Sequence, residues 1–206
     1  MAEPYSGEPL SRSVYLALQD EQRLVQDGYE FLDEKRILLA AELLRQRDDY
    51  RELTRTFTEL MQSAASALGG SVTQHGLDGV QVQPALDMTN ARLQTAARSY
   101  VGMTLLACRF DAEDADLTFR AVHPTPELRA CAQAFRKLLA LSARLAAVSC
   151  NINRLIREYR RTERRTRALE NVILPELGQA LAQAEAYLEM LDQEEVVRVR
   201  FRKGNF

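Results

Sequence analysis

Residue types that carry chemistry are scarce in this chain, and none is spaced for a reaction. Two histidines, His75 and His123, cannot furnish a histidine-rich metal site. Cys108, Cys131 and Cys150 form no CxxC pair, so they read as reduced, packed thiols in a cytosolic protein rather than as a disulfide framework. None of the three has an evident activating neighbour. Asp111, Glu113, Asp114 and Asp116 come near a cation-binding run but lack the central glycine and distal glutamate of a calcium loop. Gly69-Gly70 is followed by no Gly-Lys-Ser/Thr and is therefore not a phosphate loop. No catalytic residue, cofactor or metal is expected.

The strongest concentration of charge is basic: Arg154, Arg157, Arg160, Arg161, Arg164, Arg165 and Arg167. Such a run can be a solvated or internally paired helix face, a dock for an acidic partner, or a phosphate binder. Tyr159 is the one aromatic interleaved with it, and the net charge is −2, so nucleic acid is not expected as a partner. No stretch approaches the ~18 uncharged apolar residues that a spanning helix needs, so no direct membrane insertion is expected. Met1 to Gly7 is short, acidic and polar, unlike a signal peptide.

The elements that would carry these residues follow from composition and punctuation. Close to half of the 206 residues are Ala, Leu, Arg, Glu or Lys, and there is no Trp, which is the composition of long helices and coiled coils. Between Pro9 and Pro84 there is no proline, and after Pro126 none until Pro175. Between the two quiet regions lie Gly69, Gly70, Gly76, Gly79, Pro84, Gly102, Pro124 and Pro126. This distribution predicts an N-terminal long helix over 11–68, a small insert over 69–125, and a C-terminal long helix over 126–203.

The first helix is predicted to start at an N-cap, Ser11, and to stop at Gly69. One seam repeats every seven residues: Leu18, Val25, Leu32, Leu39, Gln46, Leu53, Leu60, Ala67. A second runs three residues ahead: Tyr15, Gln22, Tyr29, Arg36, Leu43, Tyr50, Phe57, Ala64. This is a coiled-coil pattern, and roughly 55 helical residues make a rod about 80 Å long that needs a partner along its seam. The second helix supplies one. Phe135, Leu138, Leu145, Ile152 and Tyr159 recur at heptad-like spacing. Leu169, Ile173, Leu177, Ala180, Ala184, Leu188 and Leu191 then follow an eleven-residue repeat, interrupted by Pro175, which predicts a mild kink.

Folding back across the insert makes facing residue numbers sum to roughly 195 if both helices rise equally. The acidic run Asp20, Glu21, Asp27, Glu30, Asp33 and Glu34 then faces the arginine cluster, and the charges are expected to fix the antiparallel register. Arg36 falls in the seam itself, where it either specifies register or snorkels to water. In the insert, the alternation from Gly79 to Gln83 predicts a short strand, Asn90 to Ser99 a short helix, and Tyr100 to Phe110 and Leu117 to Val122 two more strands. The fold class is mostly α: a long antiparallel two-helix coiled coil with a small mixed α/β insert.

The ordered motifs resemble the D subunit, the central rotor shaft, of V/A-type rotary ATPases and ATP synthases. The run Arg165-Thr-Arg-Ala-Leu-Glu-Asn-Val-Ile-Leu-Pro175 is similar to that family's stretch ending in Ala-Leu-Glu, a few apolar residues and Pro. Leu188, Glu194, Glu195, Arg198 and Lys203 resemble its charged tail. Ser11-Arg12 stands where the family has Thr-Arg, and Gly28, Leu32, Lys35, Arg36 and Leu39 match a second pattern. Gly79, Val80, Val82 and Pro84 resemble its Gly-Val-x-Val-Pro. The resemblance spans nearly the whole chain. It departs at Gln19-Asp20-Glu21, acidic where the family is often basic, and at Arg167, where Asn is common.

What the resemblance implies is a non-catalytic central-stalk rotor subunit. It would transmit torque between a hexamer of catalytic A and non-catalytic B subunits and a membrane rotor ring, coupling ATP hydrolysis or synthesis to ion transport. The implied partners also include the small F subunit of the rotor and the funnel-shaped C/d subunit. The implied location is cytoplasmic, peripheral to a membrane. Partner contacts are expected at Arg12, Lys35, Arg36, Gly79, Val80, Val82, Arg164, Arg165, Arg198, Arg200, Arg202 and Lys203. The periodicity without the resemblance equally fits a free-standing cytosolic coiled-coil adaptor or tether.

Overall fold

The computed structural model describes residues 11–83, 91–111, 122 and 125–203. A long helix, α1 (Arg12–Gln81), is followed by an antiparallel hairpin of β1 (Arg92–Tyr100) and β2 (Met103–Asp111). Helix α2 (Pro126–Ala168) then passes through a π turn (Leu169–Ile173) into α3 (Leu174–Lys203). The chain divides into two compact units. One comprises the described residues up to Ile37 together with those from Tyr159 onward, and the other is Leu38–Glu158.

Both helix starts are capped. The Ser11 side-chain oxygen accepts from the Val14 amide at 3.4 Å and its carbonyl accepts from Tyr15 at 3.0 Å. Thr125 does the same for α2, accepting from Leu128 at 3.5 Å on its hydroxyl and from Arg129 at 3.2 Å on its carbonyl. Pro126 and Glu127 occupy the first turn, where a missing N–H costs nothing and a negative charge is favoured.

The two seams of α1 are its buried face. Of their sixteen positions only Tyr50 is exposed, at 37 %, while Leu18, Leu39, Gln46 and Ala64 are fully buried. In the first unit, Leu18, Leu177 and Ala184 form a core, with Val14, Tyr15, Val25, Ala180 and Leu181 packed against it. Pairing Leu18 with Leu177 matches the expected antiparallel register, since low numbers on α1 meet high numbers on α3. In the second unit the Ser71 hydroxyl lies beside Cys131, and His75 Nε2 bonds Thr125 Oγ1 at 2.9 Å, so the same antiparallel sense holds there. Buried Thr162 and Thr166 continue the α2 seam, the latter donating to the Thr162 carbonyl at 3.1 Å. Ile173, expected in the seam, is 37 % exposed.

Four local expectations are corrected. Helix α1 does not stop at Gly69. It runs through both glycines because Ser71 is fully buried and packing outweighs glycine's poor propensity, while the Ser71 and Thr73 hydroxyls donate to the Ala67 and Gly69 carbonyls. The break comes instead at Gly76, with φ 71° and ψ 166°. The stretch from Gly79 is not a strand but the end of α1, with Val82 and Gln83 donating to Asp78 and Val80 carbonyls. The segment from Asn90 to Ser99 is not a short helix: from Arg92 onward it lies in β1, held by a register from Arg92 opposite Asp111 to Tyr100 opposite Met103. The strand expected over Tyr100 to Phe110 instead begins at Met103, because Val101 and Gly102 form the turn. Of the strand expected over Leu117 to Val122, only Val122 lies within the described residues. Pro175 produces a π turn just before it, with the Leu174 amide bonded to the Leu169 carbonyl.

The hairpin turn has positive φ at both central residues, 46° at Val101 and 79° at Gly102, the geometry that matches strand twist. Gly102 adopts it freely, but for β-branched Val101 it is strained by roughly 1–3 kcal/mol. We expect Val101→Asn to raise the unfolding free energy by about 1 kcal/mol in urea titration.

Candidate partner-docking surfaces

In the second unit the hairpin is fastened to both helices by polar bonds. From β1, Arg98 Nη2 reaches Glu42 Oε1 at 3.2 Å and the Tyr100 hydroxyl donates to the Leu38 carbonyl of α1 at 3.1 Å. Arg98 also lies over the Tyr100 ring, 5.5 Å from its centroid. From α2, Asn151 clamps β2 at one residue: its Oδ1 accepts the Leu106 amide at 2.8 Å and its Nδ2 donates to the Leu106 carbonyl at 2.7 Å. Arg154 Nη1 donates to the Thr104 carbonyl at 3.1 Å. Thr104 and Leu106 are alternate residues, so these are the backbone groups that β2 turns away from β1. The bonds therefore cover one edge of the hairpin, while Leu105, buried between them in sequence, supplies apolar anchorage.

Glu42 is the electrostatic centre of this clamp. Its side chain is 6 % exposed. It accepts from Arg45 Nε at 2.9 Å and Nη2 at 2.6 Å, from Gln46 Nε2 at 3.0 Å, and from Arg98. The bonds from Arg45 hold its carboxyl below the ordinary range against the opposing effect of burial, with Gln46 and Arg98 adding to the lowering. The same pairing raises Arg45. Burial pushes the Cys131 thiol up, with the nearby Ser71 hydroxyl opposing it, so this cysteine is a packed group.

The residues expected at partner contacts are dispersed. Arg12 is exposed at the start of α1. Lys35 is half-buried, and Arg36 is half-buried in a 2.6 Å pair with Asp33, one turn away. Gly79 and Val80 are half-buried at the end of α1 and Val82 is 68 % exposed. A Cβ on Gly79 would meet the His75 Cβ at 3.1 Å, which favours glycine beside the Gly76 break. Arg164 and Arg165 are exposed on α2, as are Arg198, Arg200 and Arg202 on α3, where Arg198 lies 3.9 Å from Glu194. Lys203 ends α3.

In the first unit the expected zipper between acidic α1 and basic α2 is not made at Asp20, Asp27, Asp33 or Glu34 among the described residues. Among the described residues, Asp27, Glu34, Arg160, Arg161 and Arg165 make no ion pair and are exposed. Asp20 pairs with Arg23 at 3.7 Å and Arg167 with Glu163 at 2.7 Å, each within its own helix. Antiparallel order in this unit rests on apolar packing.

Sequence reasoning missed the clamp residues Glu42, Arg98, Tyr100 and Asn151, and held Arg154 only as part of the basic run. A polar Asn151 following the apolar run Leu145 to Val148 by three residues was the available signal, because a buried amide must find partners. Among the described residues no group of His, Cys, Asp and Glu could hold a metal ion. None of the described helices is long and apolar enough to cross a membrane. The acidic run after Asp111 and His123 lie outside the described residues.

The family model for the ATP synthase D subunit matches residues 14–204. The chain belongs to this family. The match takes in the coiled coil, the hairpin and every expected contact residue except Arg12. Similar chains include the V-type ATP synthase D subunit of Thermotoga neapolitana, 24 % identical over 92 % of this chain and 94 % of that one. The A-type ATP synthase D subunit of Thermococcus gammatolerans is 25 % identical over 97 % and 94 %. The V-type ATP synthase D subunit of an Anaeromyxobacter species is 29 % identical over 94 % and 92 %. Family membership thus extends over both units, at identities low enough for surface charge to have diverged.

Because Glu42 ionises more readily folded than unfolded, its stabilisation is complete above the ordinary carboxylate value of about 4.3 and is lost as pH falls through the lower folded value. We expect Glu42→Gln to cost about 1–2 kcal/mol at pH 7, with Arg45 and Arg98 half-exposed, and the difference to shrink below about pH 4 in urea titrations. Asn151→Ala should cost about 2 kcal/mol at every pH, since it strands the Leu106 backbone.

Proposed function

We propose that this chain is the central-stalk rotor subunit of a V/A-type ATPase or ATP synthase, transmitting torque between a catalytic A/B hexamer and a membrane rotor ring. The carrying observation is the family match over residues 14–204, laid onto two long helices that pair antiparallel. In this reading the chain is non-catalytic and works at the cytoplasmic side, peripheral to the membrane. Its shape biases nucleotide sites that belong to other subunits, and the coupling to ion transport is made through the F subunit and the funnel-shaped C/d subunit.

The physical chemistry of the chain supports such a role. A shaft must resist twisting, so its helices need apolar contact along their length. The heptad seams of α1 are buried or half-buried at all but one position. It must also hold its side chains outward for partners, and α3 beyond Leu188 does so: Val196, Val197, Val199 and Phe201 are 46–77 % exposed beside Arg198, Arg200 and Arg202. A helix exposing both apolar and basic groups in its last turns is suited to a surrounding collar. Arg12, Arg164, Arg165 and Lys203 are proposed as further contacts with the A and B subunits. Lys35, Arg36, Gly79, Val80 and Val82 are proposed for the remaining partners.

Affinity capture of the tagged chain from its own organism should bring down the A, B and F subunits. Capture of none of them would favour a coiled-coil tether instead. In the reconstituted complex, Arg198→Glu, Arg200→Glu and Arg202→Glu together should lower ring affinity at least about tenfold, equivalent to ~1.4 kcal/mol. Unchanged assembly and ATP-driven rotation would remove those arginines from the contact.

A further inference from the structure

Helix α1 in the first unit is apolar on two opposite sides. At 3.6 residues per turn, Leu16, Asp20, Leu24, Asp27, Phe31 and Glu34 fall within roughly 80° of one another, and the seam residues Leu18 and Val25 lie about half a turn away. The seam side packs on Leu177 and Ala184. The outer side is uncovered, with Leu16, Leu24 and Phe31 exposed at 56, 72 and 65 %. A surface helix ordinarily keeps that side polar. Here large apolar groups alternate with carboxylates, of which Asp27 and Glu34 make no ion pair among the described residues.

We propose that this outer face of α1, from Leu16 to Glu34, is a docking surface for a basic protein surface bearing apolar side chains, contributed by the A and B subunits. The proposal rests on the rotor-shaft reading and adds the chemistry of the partner. Charge decides the occupant. The face carries Asp20, Asp27 and Glu34 with Arg23 already paired to Asp20, and Glu30, Arg12 and Lys35 lie along its borders, so its surplus is negative and calls for Lys or Arg. Leu24 and Phe31 sit between the carboxylates and would fill apolar gaps among those cations, giving an interface with apolar anchors and a charged border. The same alternation disfavours an acidic partner, which would face like charges at each turn.

The test uses the full chain with the A and B subunits of its own organism, measuring assembly by fluorescence anisotropy from 50 to 500 mM salt. The unmodified chain should bind at least tenfold more weakly at the higher salt. Asp20→Arg, Asp27→Arg and Glu34→Arg together should weaken binding at least tenfold at low salt. Leu24→Ser with Phe31→Ser, which keeps every charge, should weaken it without altering the salt slope. These positions are exposed, and circular dichroism verifies that helicity is retained. Normal assembly that is insensitive to salt and to the charge reversal overturns the proposal and leaves the rotor reading standing. Failure of the unmodified chain to bind the ring overturns both. Sedimentation of the chain alone supplies the last arm: a salt-sensitive dimer abolished by the charge reversal would give the face to a second copy and overturn the proposal.

Discussion

Everything in this molecule depends on one constraint: a pair of helices has a single line of contact, and that line must supply nearly all the burial each helix receives. A globular core surrounds its residues, whereas a two-helix seam covers only a stripe of each partner. The buried set is accordingly thin, with Leu18, Leu39 and Ala64 on α1 and Leu138, Leu155 and Leu177 among those on the returning helices. Regular heptad spacing is therefore indispensable, since one misplaced turn rotates the stripe away from its partner. It also explains the polar residues within the seam. Gln46, Ser71, Thr162 and Thr166 are buried, and three of them satisfy a hydrogen bond within their own helix, so they keep the line continuous without demanding a cross-partner of fixed type.

The hairpin is held by a different physics. Two strands alone are marginal in water, and β1 is exposed at eight of its nine positions. Its attachment relies on directional bonds to fixed groups: an amide on α2 gripping one backbone residue of β2, and a buried carboxylate on α1 gathering Arg45, Gln46 and Arg98. Breaking one partner of such a site leaves buried polar groups unsatisfied, which costs more than the bond contributed. The hairpin is thereby placed where Glu42 and Asn151 stand, a specificity that apolar packing on two smooth helices would not confer.

How much of this was legible in the sequence follows the same division. The heptads from Tyr15 to Ala67, the Ser11 cap and the antiparallel return could be read directly, because each is a local or periodic property of the chain. Sequence and structure part where tertiary contact outweighs local preference. Gly69 and Gly70 look like a stop, but the neighbouring Ser71 is buried beside Cys131 and the helix continues to Gly76. The Val-Gln-Val alternation after Gly79 has strand periodicity, yet three or four residues of alternation are too few to outweigh extension of an existing helix. In β1, Arg92 to Tyr100 carries helix-compatible residues and becomes a strand because β2 pairs with it residue by residue. The clamp was illegible for a related reason: Glu42 and Asn151 are far apart in sequence, and nothing in either neighbourhood announces the other.

Opposite charges at matching heights of two antiparallel helices suggest mutual pairing, and the seam makes that pairing unnecessary. With Leu18, Leu177 and Ala184 setting register by shape, charges such as Asp27, Glu34, Arg160, Arg161 and Arg165 are left exposed to solvent. Exposed pairs would have added little stability in any case. The same groups matter far more at an interface, where they set orientation, encounter rate and choice of partner. The similar chains match over most of their length at identities of about a quarter, which leaves room for their outer faces to differ. Shape thus holds these helices together in the first unit, and much of their charge is left exposed.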